Sequence, residues 1–158
     1  MSTPSALVRP TGIPLTHRLG AHLVLPLARL LARLPPRHIT TVLGFLRGRA
    51  AAATPRQAQA ARDAVCAVSL RCAGPQGCLP RSLGTALLCR LWGAWPTWCT
   101  GVRMVPPFAA HAWVEAGGRP VGEGVPDDYF SRLLVVDPAR GGAQLPPDRA
   151  GSAVRDVP

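Results

Sequence analysis

The sequence predicts an α+β fold in which N-terminal helices precede an antiparallel sheet packed on one of them. Three observations carry this. Up to Gly93, apolar residues recur at helical spacing between Pro- and Gly-rich breaks. Beyond it the chain changes to short runs of β-formers, "PTWCTGVRM", "HAWVEA" and "RPVGE", with turn signals at "VPPF" and "GG". Helices first and strands second suit two packed layers better than alternating βαβ units. At 158 residues, 47% of them hydrophobic, the chain is long enough for one domain with a real core.

The elements follow in order. In "LVLPLARLLARL" (23–34), Leu23, Leu27, Leu30, Leu31 and Leu34 form the predicted apolar face of a first helix, with Arg29 and Arg33 on the other side. Pro35 and Pro36 end it. A second helix is predicted in "RHITTVLGFLRG" (37–48) on Ile39, Val42, Leu43 and Leu46. A linker leads to a third, for which Thr54 is the predicted N-cap and Pro55 the first helical residue. That helix runs to the loop "AGPQG" (73–77). A fourth starts at Cys78, shows Leu79, Leu83, Ala86, Leu87 and Leu91 on one face with Arg81 and Arg90 elsewhere, and closes at Gly93. The Gly/Pro/Arg-rich tail after Pro138 reads as disordered. The predicted organisation is a basic helical region over 1–53, a core over 54–138 and a tail over 139–158.

Composition narrows the function classes. The chain has no lysine and no asparagine, and only Ile13 and Ile39 as isoleucines, the imprint of a GC-rich bacterial genome. Part of the arginine content is therefore codon bias, which weakens any nucleic-acid reading of the pI of about 11.3, and no nucleic acid is expected as partner. Charge is unevenly spread. Residues 1–62 hold nine arginines and no acid; the rest holds nine arginines and eight acids. A basic face of this kind attracts acidic partners, and the expectation is that Arg29, Arg33 and Arg37 help to dock one. The mean hydropathy of +0.16 and a longest apolar run broken by Arg29 and Arg33 argue against a transmembrane segment. No signal peptide is apparent, and five cysteines without scaffold spacing favour a reducing cytoplasm.

The chemistry centres on Cys78. A cysteine that begins a helix sits where free backbone N–H groups and the helix dipole stabilise an anion, which lowers the thiol pKa. Such a nucleophile needs a base and the base an orienting group. His111 is the one histidine of the β half, and on a strand it shares a face with Trp113 and Glu115. His17, His22 and His38 lack metal-ligand spacing and read as surface or packing residues. Cys66, Cys72 and Cys78 fall six apart, which is no zinc spacing, and no metal is expected. Cys66, Cys89 and Cys99 sit in apolar contexts and read as core; Cys72, at a helix end, is left open. There is no Gly-rich loop with lysine, hence no nucleotide site, and no cofactor is expected. A helix-start cysteine paired with a strand histidine is the arrangement of papain-like and transglutaminase-like enzymes.

The string "CLPRSLGTALLCRLWG…GVRMVPPFAAHAWVEAGGRPVGE" resembles the transglutaminase-like cysteine protease of lasso peptide biosynthesis, the stand-alone leader peptidase. The resemblance covers most of the chain and rests on the Cys-Leu-Pro-Arg helix start and on His-Ala-Trp-Val-Glu. It implies that Cys78 is the nucleophile and His111 the base. The third member, usually Asp, falls on Glu123, with Glu115 and Asp137 as alternatives. The backbone N–H of Cys78 and, more weakly, Gln76 are candidates for the oxyanion. It further implies a precursor peptide as substrate, a separate leader-recognition protein as partner, and association with an ATP-dependent macrolactam cyclase. Two rivals stay open: a transglutaminase-like acyltransferase, and a non-catalytic basic binding module.

If the hairpin "HAWVEAGGRPVGE" turns on the two residues Gly117-Gly118, strand pairing sets Glu123 opposite Ala112, away from His111. A three-residue loop, Ala116-Gly117-Gly118, sets it opposite His111 and is the expected one.

Overall fold

A computed structural model describes residues 10–126 and 128–139. The predicted tail, apart from Ala139, lies outside the described residues. The elements run α1 (Leu15–Leu31), α2 (Pro36–Arg47), β1 (Ala51–Ala52), α3 (Pro55–Val68), α4 (Leu70–Ala73), α5 (Cys78–Leu91), β2 (Ala94–Trp95), β3 (Thr97–Arg103), β4 (Ala110–Ala116), β5 (Arg119–Pro120) and β6 (Phe130–Val136). The fold is α+β. The main sheet has order β5-β4-β3-β6 with each neighbouring pair antiparallel, and β1 pairs with β2 in a separate parallel ribbon.

Helix α5 is the centre of the molecule. It is buried without interruption from Arg81 to Cys89, because α1 and α3 cover one side and β4 the other. Leu83, Leu88, Ala61, Val65, Trp98 and Val114 all belong to this one core, as do Ala21, Leu25, Ala28 and Leu31 of α1. The core thus crosses residue 53 without a break. Burying leucines such as Leu83 and Leu88 contributes about 1.5–3 kcal/mol each. The sheet is tied to the helix by polar contacts as well. The indole of Trp98 donates to Ser82 Oγ (3.1 Å), and that of Trp95 donates to the Val136 carbonyl (3.1 Å). Both rings are fully buried, so each N–H needs such a partner.

Helix α3 begins as its sequence predicts. Thr54 accepts from the Gln57 N–H while Gln57 Oε1 accepts from the Thr54 N–H, a complete capping box with Pro55 at the first helical position. Helix α1 corrects the sequence expectation. It packs inward through Gly20, Ala21, Leu25, Ala28 and Leu31, whereas Leu23, Leu27, Leu30 and Leu34 face solvent. Close approach decides this. A Cβ on Gly20 would stand 2.8 Å from Leu88 Cδ1, so the small residues of α1 mark the side that meets α5; Leu25 and Leu31 share that side, and the other leucines point away. Strand β6, "FSRLLVV", was not evident from pattern. Its burial does not alternate, and a register shift at Thr100/Gly101 interrupts its pairing with β3.

Candidate active site

Cys78 is the first residue of α5, and Gly77 before it offers no side-chain cap, so the free N–H groups of the first turn stay open toward the sulfur. Gly77 is there for space. A Cβ on it would fall 1.9 Å from the Arg71 carbonyl oxygen and 2.9 Å from Cys72 Cα, so the loop after α4 can fold back beneath Cys78 only with glycine. Gly77→Ala is accordingly expected to displace Cys78 and lower its reactivity by about 10²-fold, the scale of a 1 Å misplacement. Kinetics of thiol labelling in the folded variant check this.

Cys78 is half-buried and near enough to the His111 ring for each to shift the other's titration. His111 lies on β4, opposite Gly101 of β3, and its ring stacks at 4.7 Å on Phe130, which in turn stacks at 4.7 Å on Trp113. This aromatic column fixes the imidazole plane. Nε2 of His111 is 2.9 Å from Glu123 Oε2, which leaves Nδ1 as the ring nitrogen for the thiol.

Among the candidate acids, the structure brings Glu123 to His111. Glu115 instead accepts from the Trp113 indole (2.8 Å) and pairs with Arg132 (2.6 Å). Asp137 accepts from Thr97 Oγ1 (3.1 Å). Gln76 is exposed on the loop before Cys78 and makes no hydrogen bond to Cys78 or His111.

The expected route to Glu123 is corrected. The hairpin turns on two residues: Glu115 pairs with Pro120 and Ala116 with Arg119, with Gly117 and Gly118 both at positive φ. Continued pairing would set Glu123 opposite Ala112. The ladder stops instead after the bond from the Val121 N–H to the Val114 carbonyl, and Gly122, at φ +67°, turns the chain back toward His111. The carboxylate arrives by leaving the strand, not by register. Glutamate's extra methylene fits this detached path.

Two arginines meet that carboxylate. Arg62 of α3 and Arg81 of α5 each place a guanidinium nitrogen 3.8 Å from Glu123 Oε1. Arg81 is buried, and its Nη1 also donates to the carbonyls of Cys72 (2.9 Å) and Gly74 (3.3 Å). One side chain therefore ties the loop beneath Cys78 to the carboxylate beyond His111. Sequence reasoning placed Arg81 off the apolar face; its one legible signal was its position a single helical turn after Cys78.

The electrostatics follow the geometry. The hydrogen bond from His111 is the main influence lowering the Cys78 thiol, aided by the Ala112 N–H and the charges of His111 and Arg81 against the cost of burial. Burial alone would push His111 down. Its bonds to Cys78 and Glu123 and their charges outweigh that and hold the imidazole above its ordinary value. For Glu123 burial pulls upward, but the His111 bond and charge, with Arg81 and Arg62, keep the carboxyl below its usual range. A thiol moved down beside an imidazole moved up favours the thiolate–imidazolium pair. The buried thiols go the other way: Cys66 is raised, and Cys89 and Cys99 are pushed up to about 12.

Cys78 is therefore expected to react with a small disulfide probe at mildly acidic pH while Cys66, Cys89 and Cys99 stay unmodified, as peptide mass mapping reads. His111→Ala removes the largest lowering influence and should move labelling to higher pH. In Glu123→Gln the lost charge no longer raises His111, so the alkaline limb of the pair, where the imidazole deprotonates, should shift to lower pH.

A helix-start cysteine, a strand histidine and a carboxylate thus meet on a helix-backed antiparallel sheet, the set of groups that cysteine-dependent acyl transfer requires. The sequence matches the family model of the transglutaminase-like superfamily over residues 21–135, and the chain belongs to that superfamily. No curated protein and no solved structure matches it. Members are typically cysteine-dependent enzymes. Among the described residues no helix is long and apolar enough to cross a membrane.

Proposed function

We propose that this protein is a cysteine endopeptidase that removes the leader from a ribosomally made lasso precursor peptide. The observation that supports it most is Cys78 at the start of α5 beside His111, whose Nε2 lies 2.9 Å from Glu123 Oε2. The choice of substrate rests on the resemblance of "CLPRS" and "HAWVE" to the lasso leader peptidases. In this reading the Cys78 thiolate attacks the scissile carbonyl, and the C=O electron pair moves onto the oxygen. The Cys78 N–H, with Gln76 as a weaker candidate, receives that oxyanion. Collapse of the intermediate breaks the C–N bond, and His111 gives its proton to the departing amine of the core peptide. His111 then takes a proton from water, which attacks the thioester and releases the leader as a carboxylic acid. Glu123 holds the imidazole in place and stabilises its charged form, as an orienting acid does. No cofactor enters these steps. A separate leader-recognition protein presents the precursor, and an ATP-dependent macrolactam cyclase takes the freed amine.

The test is incubation with the precursor peptide and its leader-recognition protein, read by mass spectrometry. Two fragments whose masses sum to precursor plus one water are expected. A product carrying an added amine in place of water would make the protein an acyltransferase, and an intact precursor beside a reactive Cys78 would remove the peptidase reading.

A further inference from the structure

The face of α1 that the core leaves out is itself organised. Leu15, Leu19, Leu23, Leu27 and Leu30 follow at steps of four, four, four and three, the spacing of a single stripe on a helix, and Leu34 continues it in the turn after α1. All six are exposed, Leu15 and Leu23 by 71% and 74%. Leu91, at the end of α5 and 57% exposed, lies beside Gly20 and widens the stripe at its middle. Solitary surface leucines need no explanation, but a continuous row along a helix about 25 Å long is more apolar surface than a monomer ordinarily leaves in water. Along one edge of the leucines runs a second row, Arg18, His22, Arg29 and Arg33, also exposed. Its steps of four, seven and four keep it parallel to the first.

We infer that this face of α1 is a docking surface for an amphipathic helix of another protein, with apolar residues set against the leucines and acidic residues along the arginine edge. A stripe at three- and four-residue spacing offers the ridges and holes that a second helix fills. The sign of the partner follows from charge complementarity. A second copy of this chain brings only more arginine to that edge, because residues 1–62 contain no acid. A helix lying in an anionic bilayer carries its cationic residues along both borders of its apolar face. Here they border one side only, the other being packed on α5, as suits a pairwise seam with one basic and one acidic edge. The inference is independent of the substrate proposed for Cys78, since binding and cleavage are read separately.

The test uses a labelled synthetic helix of three heptads with leucine at its core positions and glutamate along its flanks, titrated with the full chain by fluorescence anisotropy. Saturable binding is expected. Leu19→Ser/Leu23→Ser/Leu27→Ser should weaken it by about tenfold or more at any salt concentration, as removal of apolar anchors does. Arg29→Glu/Arg33→Glu should weaken it mainly at low salt and shift preference to a lysine-flanked version of the same peptide. Unchanged Cys78 labelling in both variants certifies their fold. Absence of binding, or equal binding of the glutamate and lysine peptides by the natural chain, overturns the inference. Leucine-dependent co-sedimentation with phosphatidylglycerol vesicles would assign the face to a membrane instead. A leucine-dependent dimer in sedimentation equilibrium would assign it to a second copy.

Discussion

Cys78→Ala and His111→Ala are each expected to lower peptide cleavage by about 10³-fold or more, the scale on which removal of a nucleophile or its base is felt. The two variants should differ in stability. Cys78 is half-buried and short, and alanine keeps the helix start, so its thermal midpoint should stay at the wild-type value. His111 is buried, stacks on Phe130 and bonds to Glu123. His111→Ala leaves that carboxylate to Arg62 and Arg81 and should cost about 1–3 kcal/mol for the lost bond. Thermal unfolding beside the cleavage assay separates the effects: both lose activity, and only the histidine variant loses stability. Cleavage above a tenth of wild type in Cys78→Ala would remove Cys78 from the nucleophile's place.

Much of this site was legible because local chemistry wrote it. "PQGC" announces a break followed by a helix, and "HAWVE" alternates as a strand with one titratable ring. Thr54 and Pro55 spell out a helix start that the structure reproduces, with Gln57 completing the capping box. What was not legible depended on long-range packing. The leucines of α1 made the stronger periodic signal, yet Gly20, Ala21 and Ala28 allow the closer approach, and packing follows contact distance as well as hydrophobicity. The two-residue turn at Gly117-Gly118 was one of two readings, and strand geometry alone could not show that Gly122 would release Glu123 from the ladder. Strand β6 was hidden because its outer positions mix serine, arginine and leucine without alternation.

Arg81 was the least readable residue, since arginine is almost never buried unless paired, and its partners are carbonyls that only the folded loop supplies. It is also where the second largest effect is expected. Arg81→Met fills the same space but takes the guanidinium from the Cys72 and Gly74 carbonyls, the latter keeping the Gly77 N–H, and leaves Glu123 with Arg62 as its one arginine beside His111. Because Arg62 remains, the loss of stability should fall at the low end for breaking a buried pair, about 3 kcal/mol. Cleavage should fall by about 10²-fold as the loop beneath Cys78 loosens. The pH dependence separates electrostatics from packing. The Arg81 charge helps to lower both Cys78 and Glu123, so without it the acid limb of the activity profile should move to higher pH. Arg81→Lys restores the charge but not the planar fork that reaches two carbonyls and a carboxylate at once. Its acid limb should return toward wild type while its rate stays low. A Met variant with an unmoved profile would confine Arg81 to holding the loop. Full activity in either variant would mean that Cys78 is positioned without it.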